Sequence, residues 1–429
     1  MMKLFLSGML GLACALPAAA QLLNAQLPES APAPAGTVTE AEWSFLNAAG
    51  QDKEEDVLEL ALPQLEDWLA RNPEHASAPD AQLLKARLHM TLGEYKYALV
   101  DLLKHFQDYP QAASAEGARK FFGEILAKKA DKKTRPALEA AAAAPETTAS
   151  DLNLSMLLEK LVSQAGETYY EPLVAEFRAF FNRFPQFSGN DSLRLTLAEL
   201  HRQEGKYLAS RLAYEKMIQL HPASPLLAKA KLALGGVLAD NLKEYDKSIT
   251  VYQDVAASFP DTNEAWAAYG RLPVLAEKQK KFELAVEIYE KIIALYPDRD
   301  EAYNSYKSEA RVLREDLDKF PEAVAVLNRV ADKYKGAKAI EALLLAAEIC
   351  RKDMKDTPGE LAMYDRIVAE YEADPAAPKA LYSAGEVYDK AKDFDKAREY
   401  YQKILEKYPD DPLSKKAEKR VAAIIAGKP

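Results

Sequence analysis

Few side chains in this sequence are of a type and spacing suited to chemistry. Its 429 residues contain no glycine-rich phosphate loop, no His-Glu-x-x-His, no Cys-x-x-Cys and no Gly-x-Ser-x-Gly. Of the five histidines, His89 and His201 each stand 21 residues before a proline, Pro110 and Pro222, and His221 directly precedes Pro222. Recurrence at one offset marks packing positions rather than bases or ligands. Cys350 ends the apolar run LLLAAEIC and reads as a small buried hydrophobe. The one regular chemical feature is acidic. Asp240, Glu277, Glu315 and Asp389 lie 20 residues before Pro260, Pro297, Lys335 and Pro409, and Lys352 fills the corresponding place before Glu372. Carboxylates repeated in one register form a ladder suited to a basic or extended polypeptide, so these four are the candidate partner-binding residues. No catalytic, cofactor-binding or metal-ligating residue is assigned.

The elements that must carry such a ladder are visible in the stretch Leu381 to Pro409. Leu381, Ala384, Gly385 and Tyr388 mark one helix, and Phe394, Ala397, Tyr401 and Ile404 a second; Lys392-Asp393 makes the turn and Pro409 the stop. The second helix places an aromatic, a small residue, an aromatic and an aliphatic 15, 12, 8 and 5 residues before its closing position. Phe282, Ala285, Tyr289 and Ile292 keep those offsets before Pro297, and Tyr245, Ser248, Tyr252 and Val255 keep them before Pro260. The closing positions fall at 73, 110, 185, 222, 260, 297, 335, 372 and 409, a period of 37 or 38 residues with one slot unfilled.

This pattern resembles the tetratricopeptide repeat, a helix-turn-helix unit of about 34 residues. The closing Tyr-Pro or Phe-Pro makes it most similar in style to envelope proteins of Gram-negative bacteria, namely the coordinator of the Tol-Pal system and the repeat lipoprotein of the β-barrel assembly machinery. The resemblance implies an all-α, right-handed α-solenoid of about nine to ten hairpins with a C-terminal capping helix, whose first helices line a concave groove. It further implies a non-enzymatic scaffold or adaptor that binds a protein or extended peptide there, in outer-membrane assembly or cell division. A secreted or surface binder of host protein or polysaccharide is the alternative, and an all-α glycan-processing enzyme with paired carboxylates a further one. A constant period with short links leaves little room for the loops such an enzyme uses.

Taken in order, residues 1–20 read as a secretory signal: Lys3, the apolar run Leu4 to Leu16, and a small-residue site at Ala18-Ala19-Ala20. A periplasmic or secreted location follows, with an outer-membrane lipoprotein as the alternative if Gly11-Leu12-Ala13-Cys14 is the processing box. Residues 21–40 form a Pro/Ala-rich tether, 41–130 an N-terminal array, 131–150 a degenerate repeat and hinge, 151–411 the main array, and 412–429 a capping helix and tail. In the first array a helix is expected over Leu58 to Ala70, with Pro63 in its first turn or restarting it. The apolar run Leu4 to Leu16 is too short for a membrane span. Net charge is −10 with no basic tract beyond Lys415 to Arg420, which argues against a nucleic-acid partner. No cofactor is implied. Twenty-two tyrosines are explained by the repeat offsets.

Overall fold

A computed structural model describes residues 35–145 and 147–427. The expected signal, Cys14 and most of the tether lie outside them. Every regular element described is a helix, and the chain divides after Pro185 into two compact units. The first holds α1 (Ala35–Ala49), α2 (Glu55–Arg71), α3 (Ala78–Thr91), α4 (Tyr95–Asp108), α5 (Ala115–Lys129), α6 (Arg135–Ala141), α7 (Ser150–Ala165) and α8 (Tyr170–Arg183). The second runs through α9 (Asn190–Gln203), α10 (Tyr207–Leu220), α11 (Leu227–Gly236), α12 (Tyr245–Ser258), α13 (Asn263–Lys278) and α14 (Phe282–Leu295). It continues with α15 (Asp300–Glu315), α16 (Phe320–Lys333), α17 (Ala337–Ile349), α18 (Thr357–Glu370), α19 (Ala376–Lys390), α20 (Phe394–Lys407) and the terminal α21 (Ser414–Ile425). The fold is an all-α repeat solenoid built of helix hairpins, as the periodicity predicts.

The turn within a hairpin obeys one rule. Two residues before the second helix, the backbone enters the left-handed region, at Gly93, Gly205, Lys243, Lys280, Asp318, Lys355 and Lys392. The next amide then closes the first helix, as Glu94 N–H does on the His89 carbonyl at 2.7 Å and Lys281 N–H on that of Ala276 at 2.8 Å. Five of the seven positions are not glycine, so the hairpin contacts outweigh a backbone cost of about 1 kcal/mol at each.

Between hairpins, the closing aromatic reaches back one repeat. Tyr109 donates to the Pro73 carbonyl at 2.9 Å and Tyr408 to that of Glu372 at 2.8 Å, whereas Tyr296 packs edge-on to Trp266 of its own hairpin. Inside a hairpin, the tyrosine eight residues before the closing position is buried at Tyr214, Tyr252, Tyr289 and Tyr401. At Tyr252 and Tyr401 the ring demands a missing side chain on the first helix. A Cβ on Gly385 would lie 2.6 Å from Tyr401, and one on Gly235 2.5 Å from Tyr252. Helix α11 passes into a π turn over Val237–Asn241. That turn adds one residue between Gly235 and Asp240 relative to the four-residue step from Gly385 to Asp389, which accounts for the 38-residue spacing from Pro222 to Pro260.

Three expectations are corrected. Helix α1 starts at Ala35, so the last residues assigned to the tether are helical. Pro63 lies in the middle of α2, and the Gln64 amide side chain donates to the Leu60 carbonyl at 3.0 Å beside the proline, which carries no N–H. The division falls at 185/186 and not at 131–150: α7 packs on α4 and α6, and α8 on α4 and α7, so the hairpin expected to open the main array belongs to the first unit. The unfilled repeat slot contains α5 and the two-turn α6.

Gly385→Ala is expected to cost about 1–3 kcal/mol by overpacking Tyr401. Gly270→Ala, where an added Cβ meets nothing within 4 Å, is expected to gain about 0.5–1 kcal/mol of helix propensity. Hydrogen exchange of the α19–α20 and α13 amides reads the two effects separately.

Candidate binding surface

In the second unit the first helix of each hairpin turns one stripe outward. On α13 it comprises Ala267, Gly270, Arg271, Val274 and Lys278, all exposed and spaced three or four apart. Val274 is 61% exposed, and beside it Gly270 leaves the floor low. The structure brings the predicted acids to this face, but three of the four are already partnered. Asp240 pairs with Arg271 on α13, and Glu277 receives Arg311 Nη2 of α15 at 2.5 Å. Asp389 is gripped in two-pronged fashion by Arg420 of α21, at 2.6 and 2.8 Å. Next along, the sign reverses: Arg314 of α15 donates to Asp353 at 2.7 Å and Glu348 at 3.2 Å, and Lys352 also joins Glu348. The result is a series of ion-pair rungs joining first helices from α11 to α17, with one more between α19 and α21, not a free acidic ladder.

The buried tyrosine supplies the third member. Tyr289 donates to Glu277 at 2.7 Å and Tyr401 to Asp389 at 3.4 Å, and in the first hairpin Tyr214 donates to Glu199 at 2.8 Å. Burial, and then the neighbouring carboxylate, push the Tyr289 phenol above its ordinary range. Glu315 shows the pattern by exception. Leu327 takes the tyrosine place of its hairpin, and Glu315 is exposed without a hydrogen-bond or ion-pair partner among the described residues.

The first unit concentrates charge in a different way. A cavity of about 390 Å³ opens between α2 and α8 over a floor from α3 and α4. Beneath it Lys85 contacts Glu66 and Asp101 at 3.0 Å and Glu176 at 3.7 Å, while Lys104 holds Glu176 at 2.9 Å. Burial opposes the Lys85 charge, but Asp101, Glu176 and Glu66 outweigh it and raise its pKa; such an amine stays protonated and is no nucleophile. Burial likewise works to raise Glu176, but Lys104 and Lys85 overcome it and hold that carboxyl below its usual range. Arg183 donates to the buried Asp108 at 2.8 Å. His89 stacks on Tyr97, with Nδ1 2.7 Å from Glu94 and Nε2 3.5 Å from Asp101. His89 and His201 are buried and Cys350 is a buried free thiol raised by that burial, all in packing positions as expected.

Family models described as tetratricopeptide repeat match residues 195–263, 236–300 and 379–411. These segments are tetratricopeptide repeats. Solved structures similar to the chain include a tetratricopeptide repeat protein from Parabacteroides merdae, at 13% identity over 64% of this chain and 98% of that one, with a TM-score of 0.33. Naa15/Naa10 bound to HypK-THB is similar at 16% identity over 90% of this chain and 61% of that one, TM-score 0.33. The P58(IPK) TPR domain is similar at 14% identity over 91% and 99%, TM-score 0.22. No curated protein matches the chain in sequence. Tetratricopeptide arrays are interaction scaffolds, and among the described residues no helix is long and apolar enough to cross a membrane.

The arginines of the tetratricopeptide rungs were missed in sequence, yet carried a signal. Arg271 and Arg420 stand 31 residues after their acids and Arg311 stands 34 after its own, one repeat on along the same face. In the charge cluster under the cavity, Lys104 occupies a position that faces water in the repeat template and carried no signal, whereas Asp101 stands where Ile288 and Val326 are buried in the regular repeats, so an acid in an apolar register was its one legible mark.

Removing either partner of the half-buried Asp389–Arg420 pair should loosen α21 slightly without undocking it, and the coupling energy from a double-mutant cycle of Asp389→Ala and Arg420→Ala is expected near 1 kcal/mol. In the first unit, Lys85→Met leaves Asp101 and Glu176 buried and short of a cation, at an expected cost of roughly 3–5 kcal/mol. Adding Asp101→Leu should recover much of it, as read by urea unfolding followed with probes in α3 and α4.

Proposed function

We propose that the chain is an exported, non-enzymatic protein-binding scaffold of the bacterial cell envelope, which docks a polypeptide segment on the first-helix face of its second unit. The observation that carries this reading is the α13 stripe. Ala267, Gly270 and Val274 form a shallow exposed floor, and rungs to α11 and α15 flank it on both sides. A low apolar floor admits a backbone closely, and ion pairs at its rim exchange partners at small cost because each is worth little in water. Both Asp240 and Arg271 are about half exposed, so the rim offers both signs of charge. This suits a segment of mixed charge better than a purely basic one, with Glu315 the acid most open to a basic side chain.

Export is supported by the leader-like residues 1–20, and a role in outer-membrane assembly or division by the Tyr-Pro style of the repeats. Non-enzymatic action fits histidines and a lysine that are held in packing and ion-pair roles.

A photo-crosslinking amino acid at Val274, in the full chain in its native envelope, is expected to trap a protein partner identified by mass spectrometry. The same group at Leu208, exposed on the second helix α10, serves as the comparison. Equal adducts at both places, or none, would count against docking at this face. With the partner in hand, Val274→Glu is expected to weaken binding about tenfold, or about 1.4 kcal/mol.

A further inference from the structure

One carboxyl of the second unit belongs neither to a rung nor to a turn. Glu309 on α15 is 1% exposed, and neither of its side-chain oxygens has a hydrogen-bond partner. Its neighbours on the same helix, Tyr306, Ala310 and Leu313, enter the apolar core that Ala323, Val326 and Val330 complete from α16. Two charged groups face it. From α16, Arg329 Nη1 stands 3.7 Å from Oε1, too far for a hydrogen bond, and its guanidinium is drawn over the Tyr306 ring at 5.1 Å. From α14 the facing group is Glu290, of like charge; α13 and α17 direct no titratable group at it among the described residues.

A carboxylate enclosed this way has one cation at a distance and no hydrogen bond to set against the cost of buried charge. The neutral acid is the form this core accommodates. We propose that Glu309 is a proton-controlled latch on the α15–α16 hairpin: protonated, it lies in the closed core; ionised, it draws water into the hairpin and loosens it. Burial, only partly offset by Arg329 and reinforced by Glu290, pushes the group up to about 7, within reach of ordinary changes in an exterior compartment.

The location gives the latch consequence. Helix α15 also carries Lys307, paired with Glu341 at 2.6 Å, and the rung arginines Arg311 and Arg314, which reach α13 in one direction and α17 in the other. Slack in α15 therefore reaches the face on both sides. The direction is determined by linkage. The folded chain holds this proton more tightly than the unfolded carboxyl does, so the contribution of Glu309 is most favourable below its ordinary value of 4.5, declines as pH rises to about 7, and stays low above it.

The test is hydrogen exchange of the full chain at about pH 5.5 and about pH 8.5, expressed as protection factors so that intrinsic exchange is removed. Protection of α15 and α16 is expected to fall roughly tenfold to a hundredfold at the higher pH, with α19–α20 unchanged. Glu309→Gln is expected to abolish the difference, and Arg329→Gln to move the transition to higher pH. Wild-type protection that does not change with pH, or a change that persists in Glu309→Gln, would overturn the latch. The wild-type series decides the matter even if either variant folds poorly.

Discussion

The second helix of each hairpin in the second unit sets one large side chain against the first helix, and at Tyr252 and Tyr401 the first helix gives way to it. Gly235 and Gly385 are required at the contact because a methyl group there would sit inside the ring. The ring then sets the distance between the two helices, and its hydroxyl, lying beyond the apolar layer, needs a partner at the rim. That partner is the acid of the same hairpin: Glu277 for Tyr289, Asp389 for Tyr401. The acid is therefore placed by packing first. The ring does not by itself set the recurrence: Glu315 keeps the register in the hairpin where leucine replaces tyrosine, and Lys352 stands in it in the hairpin of Tyr364.

An acid placed at the rim meets the next first helix, and this is where the array gains order along its length. Exposed ion pairs are each worth roughly 0.2–1 kcal/mol, so the rungs do not hold the repeats together against the hydrophobic contacts that dominate. Their influence lies in register. Arg271, Arg311 and Arg420 each find an acid one repeat back, and Arg314 finds two one repeat ahead, so a shift of one helix along its neighbour would separate several pairs together. The same rungs leave the face nearly balanced in charge, with low apolar positions between them. A binding surface built in this manner discriminates by shape and by where each charge lies, more than by net charge.

The hairpins and the buried tyrosines were legible in the sequence because each depends on a local offset: three and four residues within a helix, 37 or 38 between closing positions; the left-handed turn residues were not, since five of the seven are Lys or Asp. The four acids were legible for the same reason. What they would be doing there was not, since an ion pair joins two offsets, and a stretch read one repeat at a time shows only the acid. The π turn at Val237–Asn241 was hidden because an inserted residue that widens a helix looks the same in sequence as one added to a link. Pro63 misled because a proline usually ends a helix, whereas α2 is held on both sides of it by Leu58, Ala61, Leu65 and Trp68 in the core.

The first unit shows how far a repeat template carries when its neighbours change. Lys104 and Asp108 sit on the side of α4 that faces water in a regular array, and on that reading they are ordinary solvated charges, whereas Asp101 takes a place that Ile288 and Val326 fill with buried apolar side chains. After the unfilled slot, α7 and α8 return to cover that side, with Glu176 and Arg183 arriving opposite Lys104 and Asp108. Burial then changes the meaning of every charge beneath them. Lys85 must be matched by Asp101 and Glu66 as well as Glu176, and the matching is strong enough to keep both the ammonium and Glu176 ionised in the interior. Apolar patterning would have permitted α7–α8 to continue the array, since Tyr170, Leu173, Phe177 and Phe180 keep the template offsets. The complementary charges on α4 and α8 favour the covering arrangement instead, which is why the boundary between the units falls after this hairpin and not before it.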